Sequence, residues 1–409
     1  MLLEWMLRRL IRRGELTIVF ADGRREVFAG SDGPKVAIRF HDARVGRRIG
    51  FNPCLGVAEC YMDGSLTVED GGDIYDLLEL STFNMGRGTL PAAFRFHDWL
   101  GHITRMFWQH NPIGRARRNV AHHYDLSDEL YDLFLDSDRQ YSCAYYHDET
   151  VSLEQAQNDK MHHIASKLLL RPGQSVLDIG CGWGGLATFL ARSAGVAVRG
   201  LTLSERQHAL ASERATSQGV SGRVDFALQD YRDETATYDR IVSVGMFEHV
   251  GVGHYDEFFA KVKTLLKPDG VALLHTIGRA DGPGTTDPFI RKYIFPGGYT
   301  PALSEMTGAV ERSGLLMTDI EVLRLHYAET LRAWRRRFRA NWQRAAELYD
   351  ERFCRMWDFY LAGCEAAFRH LGVVVYQIQL AQRLDSVPLT RDYITDMDRS
   401  GAGAEIAAE

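Results

Sequence analysis

Cysteine is scarce in this chain, with six among 409 residues. Cys54, Cys60, Cys143, Cys181, Cys354 and Cys364 form no CxxC pair, and no zinc-ligand spacing appears. A metal-stapled or disulfide-framed fold is therefore not expected. The sequence shows no secretory signal pattern, so a reduced, cytoplasmic protein is expected. Met1 to Arg13 is apolar and basic but too short and too charged to span a bilayer. Excess positive charge is absent too: the net charge of −6 gives no global pull toward nucleic acid. There is no internal repeat.

The charge that is present is segregated. Arg8, Arg9, Arg12, Arg13, Arg24, Arg25, Arg44, Arg47 and Arg48 load the N-terminal region, and a second basic run spans Arg332 to Arg339. Such runs fit either a solvated helix face or a patch for phospholipid headgroups. Leu3, Met6, Leu7, Leu10 and Ile11 recur at helical spacing, which fits a surface-seeking amphipathic helix or a first helix packed on its own domain.

Short strands are expected at Leu16–Phe20, Arg25–Phe28 and Val36–Phe40, with turns at Asp22-Gly23 and Asp32-Gly33. Helices follow at Leu55–Asp63 and Asp73–Leu80. Residues 1–90 thus read as a small α+β domain, and residues 91–121 as a linker. That linker is helical at Phe94–Phe107, broken at Asn111-Pro112-Ile113-Gly114 and basic at Arg115, Arg117 and Arg118. Across residues 122–385, strand candidates alternate with helices: Ser175–Ile179, Ala197–Leu201, Val224–Leu228, Tyr238–Val244 and Gly270–Thr276. Alternation at this spacing predicts an α/β fold with a parallel, doubly wound sheet. Helices are expected at Leu303–Ser313 and Thr330–Arg369, and a last strand at Gly372–Leu380. The polar tail, 386–409, is expected to be loose.

Val176-Leu177-Asp178-Ile179 is a buried-strand run that feeds into Gly180-x-Gly182-x-Gly184-Gly185 and then an apolar helix. Glycines allow a sharp turn and close approach to a ligand. A dinucleotide loop has the spacing G-x-G-x-x-G and meets a pyrophosphate. The spacing here, after Leu-Asp, instead resembles the first motif of class I S-adenosylmethionine-dependent methyltransferases. On that reading Asp178, Gly180 and Gly182 cradle the methionine and ribose parts of the cofactor. Thr202, Leu203, Ser204 and Gln207 sit where ribose contacts are made. Asp230 is placed to accept from an adenine amino group, with Tyr231 against the ring.

A narrower resemblance rests on several motifs in order. They are His123-Tyr124-Asp125-Leu126-Ser127, Tyr141-Ser142-Cys143-Ala144-Tyr145, Met246-Phe247-Glu248-His249-Val250-Gly251, Leu274-His275-Thr276-Ile277, Phe295-Pro296-Gly297-Gly298, His326-Tyr327-Ala328-x-Thr330-Leu331 and Gly363-Cys364. These resemble the motifs of cyclopropane-fatty-acyl-phospholipid synthases and the related mycolic acid cyclopropane synthases. The likeness spans about His122 to Leu384. It adds Tyr141 and Ser142 to the cofactor set. It implies a bound bicarbonate as base, held by main-chain contacts at Cys143 and Ile277 and by Glu248, His275 and Tyr327. It also implies unsaturated phospholipid acyl chains as substrate, at the inner face of the membrane, and a homodimer formed through the N-terminal domain.

The chemistry is consistent with those residue types. A sulfonium methyl is strongly electrophilic, and its transfer to an alkene leaves a carbocation that must be kept from water and then deprotonated. Deprotonation of the new methyl closes a ring; loss of a proton elsewhere gives a methyl- or methylene-branched chain instead. Cys364 fits either a reactive thiolate or a pocket-lining apolar side chain. Phe247, Phe289, Tyr293, Phe295, Phe353, Trp357 and Tyr360 fit either an acyl tunnel or ordinary core. Gly278–Thr300 reads as a lid or headgroup loop. A small-molecule methyltransferase would leave the N-terminal domain without a role. A catalytically dead lipid binder would not need Asp178, Glu248, His275 and Tyr327.

Overall fold

The structure, a computed structural model, describes residues 2–86, 126–148 and 150–406. The expected linker at 91–121, with its helix at Phe94–Phe107, lies outside the described residues, as do His123, Tyr124 and Asp125. Helices in chain order are α1 (Leu2–Leu10), α2 (Val45–Phe51), α3 (Pro53–Met62), α4 (Ile74–Met85), α5 (Asp128–Asp132), α6 (Leu153–Leu168), α7 (Gly185–Ala194), α8 (Glu205–Ser217), α9 (Tyr255–Leu265), α10 (Leu303–Ser313), α11 (His326–Ala340), α12 (Trp342–Leu348), α13 (Glu351–His370) and α14 (Asp392–Ile406). Strands are β1 (Arg13–Val19), β2 (Arg25–Ala29), β3 (Ser31–Phe40), β4 (Leu66–Val68), β5 (Ser175–Ile179), β6 (Ala197–Thr202), β7 (Val224–Leu228), β8 (Tyr238–Val244), β9 (Leu266–Arg279), β10 (Leu316–Leu323) and β11 (Val373–Ala381).

The chain divides into two compact units. The first comprises Met1–Arg105, Thr285–Pro296 and Ala328–Val373; the second comprises Met106–Gly284, Gly297–Tyr327 and Val374–Glu409. A division at residues 90 and 121 therefore differs from the observed one, because two later segments fold with the N-terminal region.

In the first unit a four-stranded sheet runs β2-β1-β3-β4. The β1–β2 hairpin closes at Asp22-Gly23, where Gly23 takes a φ of 85°. Leu16, Ile18, Phe28, Ile38 and Phe40 bury one face. Helix α4 starts on a reciprocal cap between Asp73 and Asp76. Helix α13 packs its apolar stripe on α4 and α3, which draws the late segment into this unit. Its buried Asp358 accepts from Arg335 Nε at 2.7 Å and from Tyr61 Oη at 3.0 Å. The expected single helical stretch Thr330–Arg369 is three helices. The last begins where Asp350 accepts from the Phe353 N–H at 2.6 Å. Segment 285–296 is tied down within the same unit, since Lys292 and Tyr293 both reach Glu59 Oε1, at 2.7 and 3.0 Å.

The second unit holds a seven-stranded sheet, β10-β11-β9-β8-β5-β6-β7. The expected parallel pairing holds from β7 to β9, and β10 adds an antiparallel edge on β11. Residues alternate between two cores. Leu177, Ile241, Ala272 and Leu274 pack with α9 and α10, while Val176, Val242 and Leu273 pack with α6, α7 and α8. Burial on both faces is why these strands read as nearly continuous apolar runs. Over Asp392–Ile406 the tail is not loose but forms α14. Asp398 on that helix receives His163 Nδ1 and Ser166 Oγ, each at 2.8 Å, and those buried partners hold the helix in place.

Asp358→Ala should lower stability by about 1–3 kcal/mol, because Arg335 Nε and the Tyr61 hydroxyl lose their shared acceptor while Arg335 keeps its ion pair with Asp73. Thermal unfolding would check this. A melting temperature equal to that of the parent would show that the pair carries no such weight.

Candidate active site

Strand β5 ends at Ile179, and the chain turns at Gly180. The amides of Gly180 and Cys181 both donate to the Leu201 carbonyl, at 3.0 and 2.9 Å. Gly180 has a φ of 85°, and a Cβ there would lie 2.8 Å from Met246. Gly184, at φ 78°, leads into α7 so closely that a Cβ would meet Phe226 at 2.6 Å. Neither position accepts a side chain in this conformation. The turn lies beside the switch point of the sheet, where β6 follows on one side of β5 and β8 on the other.

The pocket at these strand ends is lined by Tyr141, Ser142, Asp178, Gly180, Gly182, Thr202, Leu203, Gln207, Asp230 and Tyr231. The structure thus brings together all of the expected cofactor residues but Ser204. Ser204 caps α8 instead, accepting from the Gln207 amide at 3.3 Å. Thr202 Oγ1 donates to Gln207 Oε1 at 2.9 Å. Asp230 is held by Arg232, whose Nε and Nη2 donate at 2.9 and 2.8 Å. Tyr141 is set by an edge-on aromatic cluster with Tyr131 and Phe134.

The lining also includes Gln140, Trp183 and Arg232, which the sequence reading did not single out, and Met246 and His249, which it quoted within a motif but gave no role. Only their adjacency to recognised motifs signalled them. Asp178 is buried, and its Oδ2 has no hydrogen-bond partner among the described residues. Burial raises its carboxyl to about 7 against the opposing pull of Lys160. An orphan acceptor beside a glycine turn suits a ligand that brings its own donors, as the amino-acid and ribose parts of S-adenosylmethionine do. The site therefore fits that cofactor.

A second group of polar side chains lies next to the pocket, around the ends of β8 and β9. Glu248 Oε1 accepts from the Ile277 amide at 2.6 Å, while Oε2 is buried without a partner among the described residues. Burial raises Glu248 to about 7. The main-chain N–H of Ile277 is thus engaged by Glu248. His275 is buried, and burial pushes its imidazole well below the usual range, so the ring is neutral. Its Nδ1 meets Gln377 Nε2 at 3.2 Å. An amide NH2 only donates, so Nδ1 accepts and the ring proton sits on Nε2. Gln377, unsuspected from sequence, keeps its own Oε1 buried without a partner among the described residues.

Tyr327 is buried in the first turn of α11, and the Tyr146 amide donates to His326 Nδ1 at 3.0 Å, which ties the Cys143–Tyr146 stretch to the start of that helix. Glu248 Oε2 and Gln377 Oε1 are thus left as unpaired acceptors among the described residues and His275 Nε2 as a donor, residue types that can complement a small protonated oxyanion such as bicarbonate.

Cys364 sits on α13 in the first unit. Burial, with the Asp287 carboxylate adding to it, pushes its thiol up to about 12, so it is no thiolate at neutral pH. Of the aromatics considered for a tunnel, Phe247 belongs to the second unit and stacks on Tyr255 with ring centroids 4.4 Å apart. Phe289, Tyr293, Phe295, Phe353, Trp357 and Tyr360 belong to the first unit, where they form ring contacts with one another and with Phe359. Among the described residues no cluster suited to a metal ion occurs.

The mycolic acid cyclopropane synthetase family model matches residues 113–378. The chain is 39% identical over 350 residues to the cyclopropane-fatty-acyl-phospholipid synthase of Escherichia coli, covering 85% of this chain and 88% of that one. It is 37% identical over 390 residues to the tuberculostearic acid methyltransferase UfaA1 of Mycobacterium tuberculosis, covering 91% and 89%. Among solved structures, the mycolic acid cyclopropane synthase CmaA1 complexed with SAH and CTAB is 35% identical, with a TM-score of 0.61 over 64% of this chain and 97% of that one.

Gly180→Val should weaken cofactor affinity by about tenfold or more, since a branched side chain fits neither the left-handed backbone nor the gap before Met246. Calorimetry with S-adenosylhomocysteine tests this, and parental affinity would mean the turn is not the binding element. Turnover should fall as the pH drops through about 7, because Glu248 then gains a proton and loses its acceptor. Glu248→Gln should bind cofactor normally yet turn over about a hundredfold slower or worse. Unchanged turnover would remove Glu248 from the site.

Proposed function

The chain belongs to the mycolic acid cyclopropane synthetase family, and from that premise we propose that it adds a methylene group across the cis double bond of unsaturated acyl chains in membrane phospholipids, forming cyclopropane fatty acids. It is an S-adenosylmethionine-dependent methyltransferase. When bound, that cofactor supplies an electrophilic methyl. Asp178, Gly180, Gly182, Thr202, Gln207, Asp230 and Tyr231 would hold it.

The observation that carries the acyl-chain reading is the half-buried Glu248, whose enclosed Oε2 has no partner among the described residues, near a neutral His275. Bicarbonate, when bound, supplies the base. Glu248 Oε2 would accept its proton-bearing edge, and His275 Nε2, Tyr327 and the main chain at Cys143 would orient it. Because these groups are buried, they would keep water from positive charge on the acyl chain. A second outcome shares this site. Relatives of similar identity include the tuberculostearic acid methyltransferase of M. tuberculosis and a probable fatty acid methyltransferase of Pseudomonas putida. Loss of a proton from another carbon would give a methyl- or methylene-branched chain.

The first unit supplies a surface for docking on the inner face of the membrane. Leu2 and Trp5 on α1 are each 48% exposed, and Phe51 at the end of α2 is 80% exposed. Leu2 packs on Gly50, which brings the two helices' exposed ends together. Arg9 lies over the Trp5 ring at 3.8 Å, and Arg9, Arg44 and Arg47 have no carboxylate partner among the described residues. Apolar tips ringed by free guanidinium groups suit an anionic bilayer surface. Among the described residues no helix is long and apolar enough to cross a membrane.

Vesicles of monounsaturated phospholipid should gain a methylene unit from labelled S-adenosylmethionine, and saturated vesicles should not. Proton NMR of the recovered lipid should show upfield ring signals. Equal labelling of both vesicle types would sink the acyl-alkene reading, while label without ring signals would select the branched product. In the same vesicles Trp5→Ser combined with Phe51→Ser should reduce binding, and unreduced binding would move docking elsewhere.

A further inference from the structure

Helix α6 carries Lys160 with its ammonium wholly buried. Nζ donates to Gln140 Oε1 at 2.6 Å and to Ser142 Oγ at 2.8 Å. Both acceptors are neutral, and together they use two of the three donors. Among the described residues no carboxylate bonds it directly; Asp136, Asp138 and Asp178 act on it only through space. Burying an ammonium on such terms is costly unless its charge is offset.

Gln157, three residues earlier on the same helix face, donates Nε2 to the carbonyls of Gln140 and Ser142, at 3.1 and 3.0 Å. The short segment is therefore strapped to α6 by its side chains and its main chain. The segment also has two functional neighbours. Gln140 and Ser142 line the cofactor pocket, and Cys143 follows directly. Lys160 acts electrostatically on Cys143 and on His275. A buried cation thus stands directly behind Gln140 and Ser142 in the wall of the cofactor pocket, next to Cys143.

We propose that Lys160 is a positioning residue that fixes the Gln140–Cys143 segment and supplies the buried positive charge that retains an anionic base beside Glu248 and His275. This rests on the reading above that bicarbonate serves as that base. A net negative ion entering a dry site needs a counter-charge nearby, and His275 is neutral. Lys160 provides one without touching the acyl chain or forming a bond in the reaction.

The test measures turnover against bicarbonate in carbon-dioxide-depleted buffer, with the full chain and monounsaturated phospholipid vesicles. Lys160→Met removes the charge and both donors. Lys160→Gln removes the charge but keeps an N–H donor toward Gln140 or Ser142. Thermal unfolding identifies any variant that fails to fold, and the Gln variant then decides. The half-saturating bicarbonate concentration should rise by about tenfold or more in Lys160→Gln. Its affinity for S-adenosylhomocysteine should stay within about threefold of the parent. A purely structural residue would weaken both together. An unchanged bicarbonate requirement in Lys160→Gln overturns the proposal. Turnover of the parent that does not respond to bicarbonate at all overturns the base reading itself, and the proposal with it.

Discussion

Three cationic side chains project from one face of helix α6, at Lys160, His163 and Lys167, and each is buried. A buried charge must find partners, and the partners here come from distant parts of the chain. Lys160 takes Gln140 and Ser142. His163 meets Asp398 at Nδ1 and Glu321 at Nε2, so both ring nitrogens carry protons and the ring is an imidazolium. Lys167 pairs with the same Glu321 and lies near Asp319. Burial alone would raise Glu321, yet His163 and Lys167 hold it at about 2. These pairings fasten the pocket wall, the edge strand β10 and the terminal helix α14 to one scaffold. Tyr145 extends the chain of contacts, stacked between His163 at 4.3 Å and His326 at 4.9 Å. Cys143 and Tyr327, both assigned to the proposed base site, are therefore registered through the same helix.

Desolvation then acts in opposite directions on acids and bases within that unit. Asp178 and Glu248 rise to about 7, while His249 falls to about 4 and burial also pushes His275 well below its usual range. At neutral pH the site holds neutral imidazoles next to carboxyls poised between two protonation states. Groups held close to their titration points suit the handling of a proton in the absence of water. The same physics keeps the Cys364 thiol protonated at neutral pH.

Much of this was legible along the chain. The strands at Ser175–Ile179, Val224–Leu228 and Tyr238–Val244 and the helix at Leu303–Ser313 have the bounds their apolar runs and turns suggest. Short or late elements were not. Strand β4 has three residues, β10 is half-exposed along its length, and α14 looks polar because its anchoring carboxylate faces a buried histidine. The helical stretch after Thr330 hid two breaks because its composition is uniform. Of the site, the glycine turn and the carboxylate after β7 could be read from local spacing. Ser204 has the residue type of a ribose contact, but its position at the start of α8 makes it a cap. Gln377 and Lys160 left no local signal, because an amide in a strand and a lysine in an amphipathic helix are ordinary.

Local chemistry was enough to specify the strand, the left-handed glycine turn and the helix that follows, because the positive φ at Gly180 and Gly184 belongs to the turn itself and glycine adopts it without strain. Motif order along the chain was enough to specify the family. What required the folded molecule is the assignment of partners. Whether Asp178 and Glu248 are left with an unpaired oxygen, whether His163 is charged and His275 neutral, and which segments join α13 in the first unit all depend on which groups are buried together. Burial and pairing are set by contacts between residues far apart in sequence, and a one-dimensional pattern does not contain them.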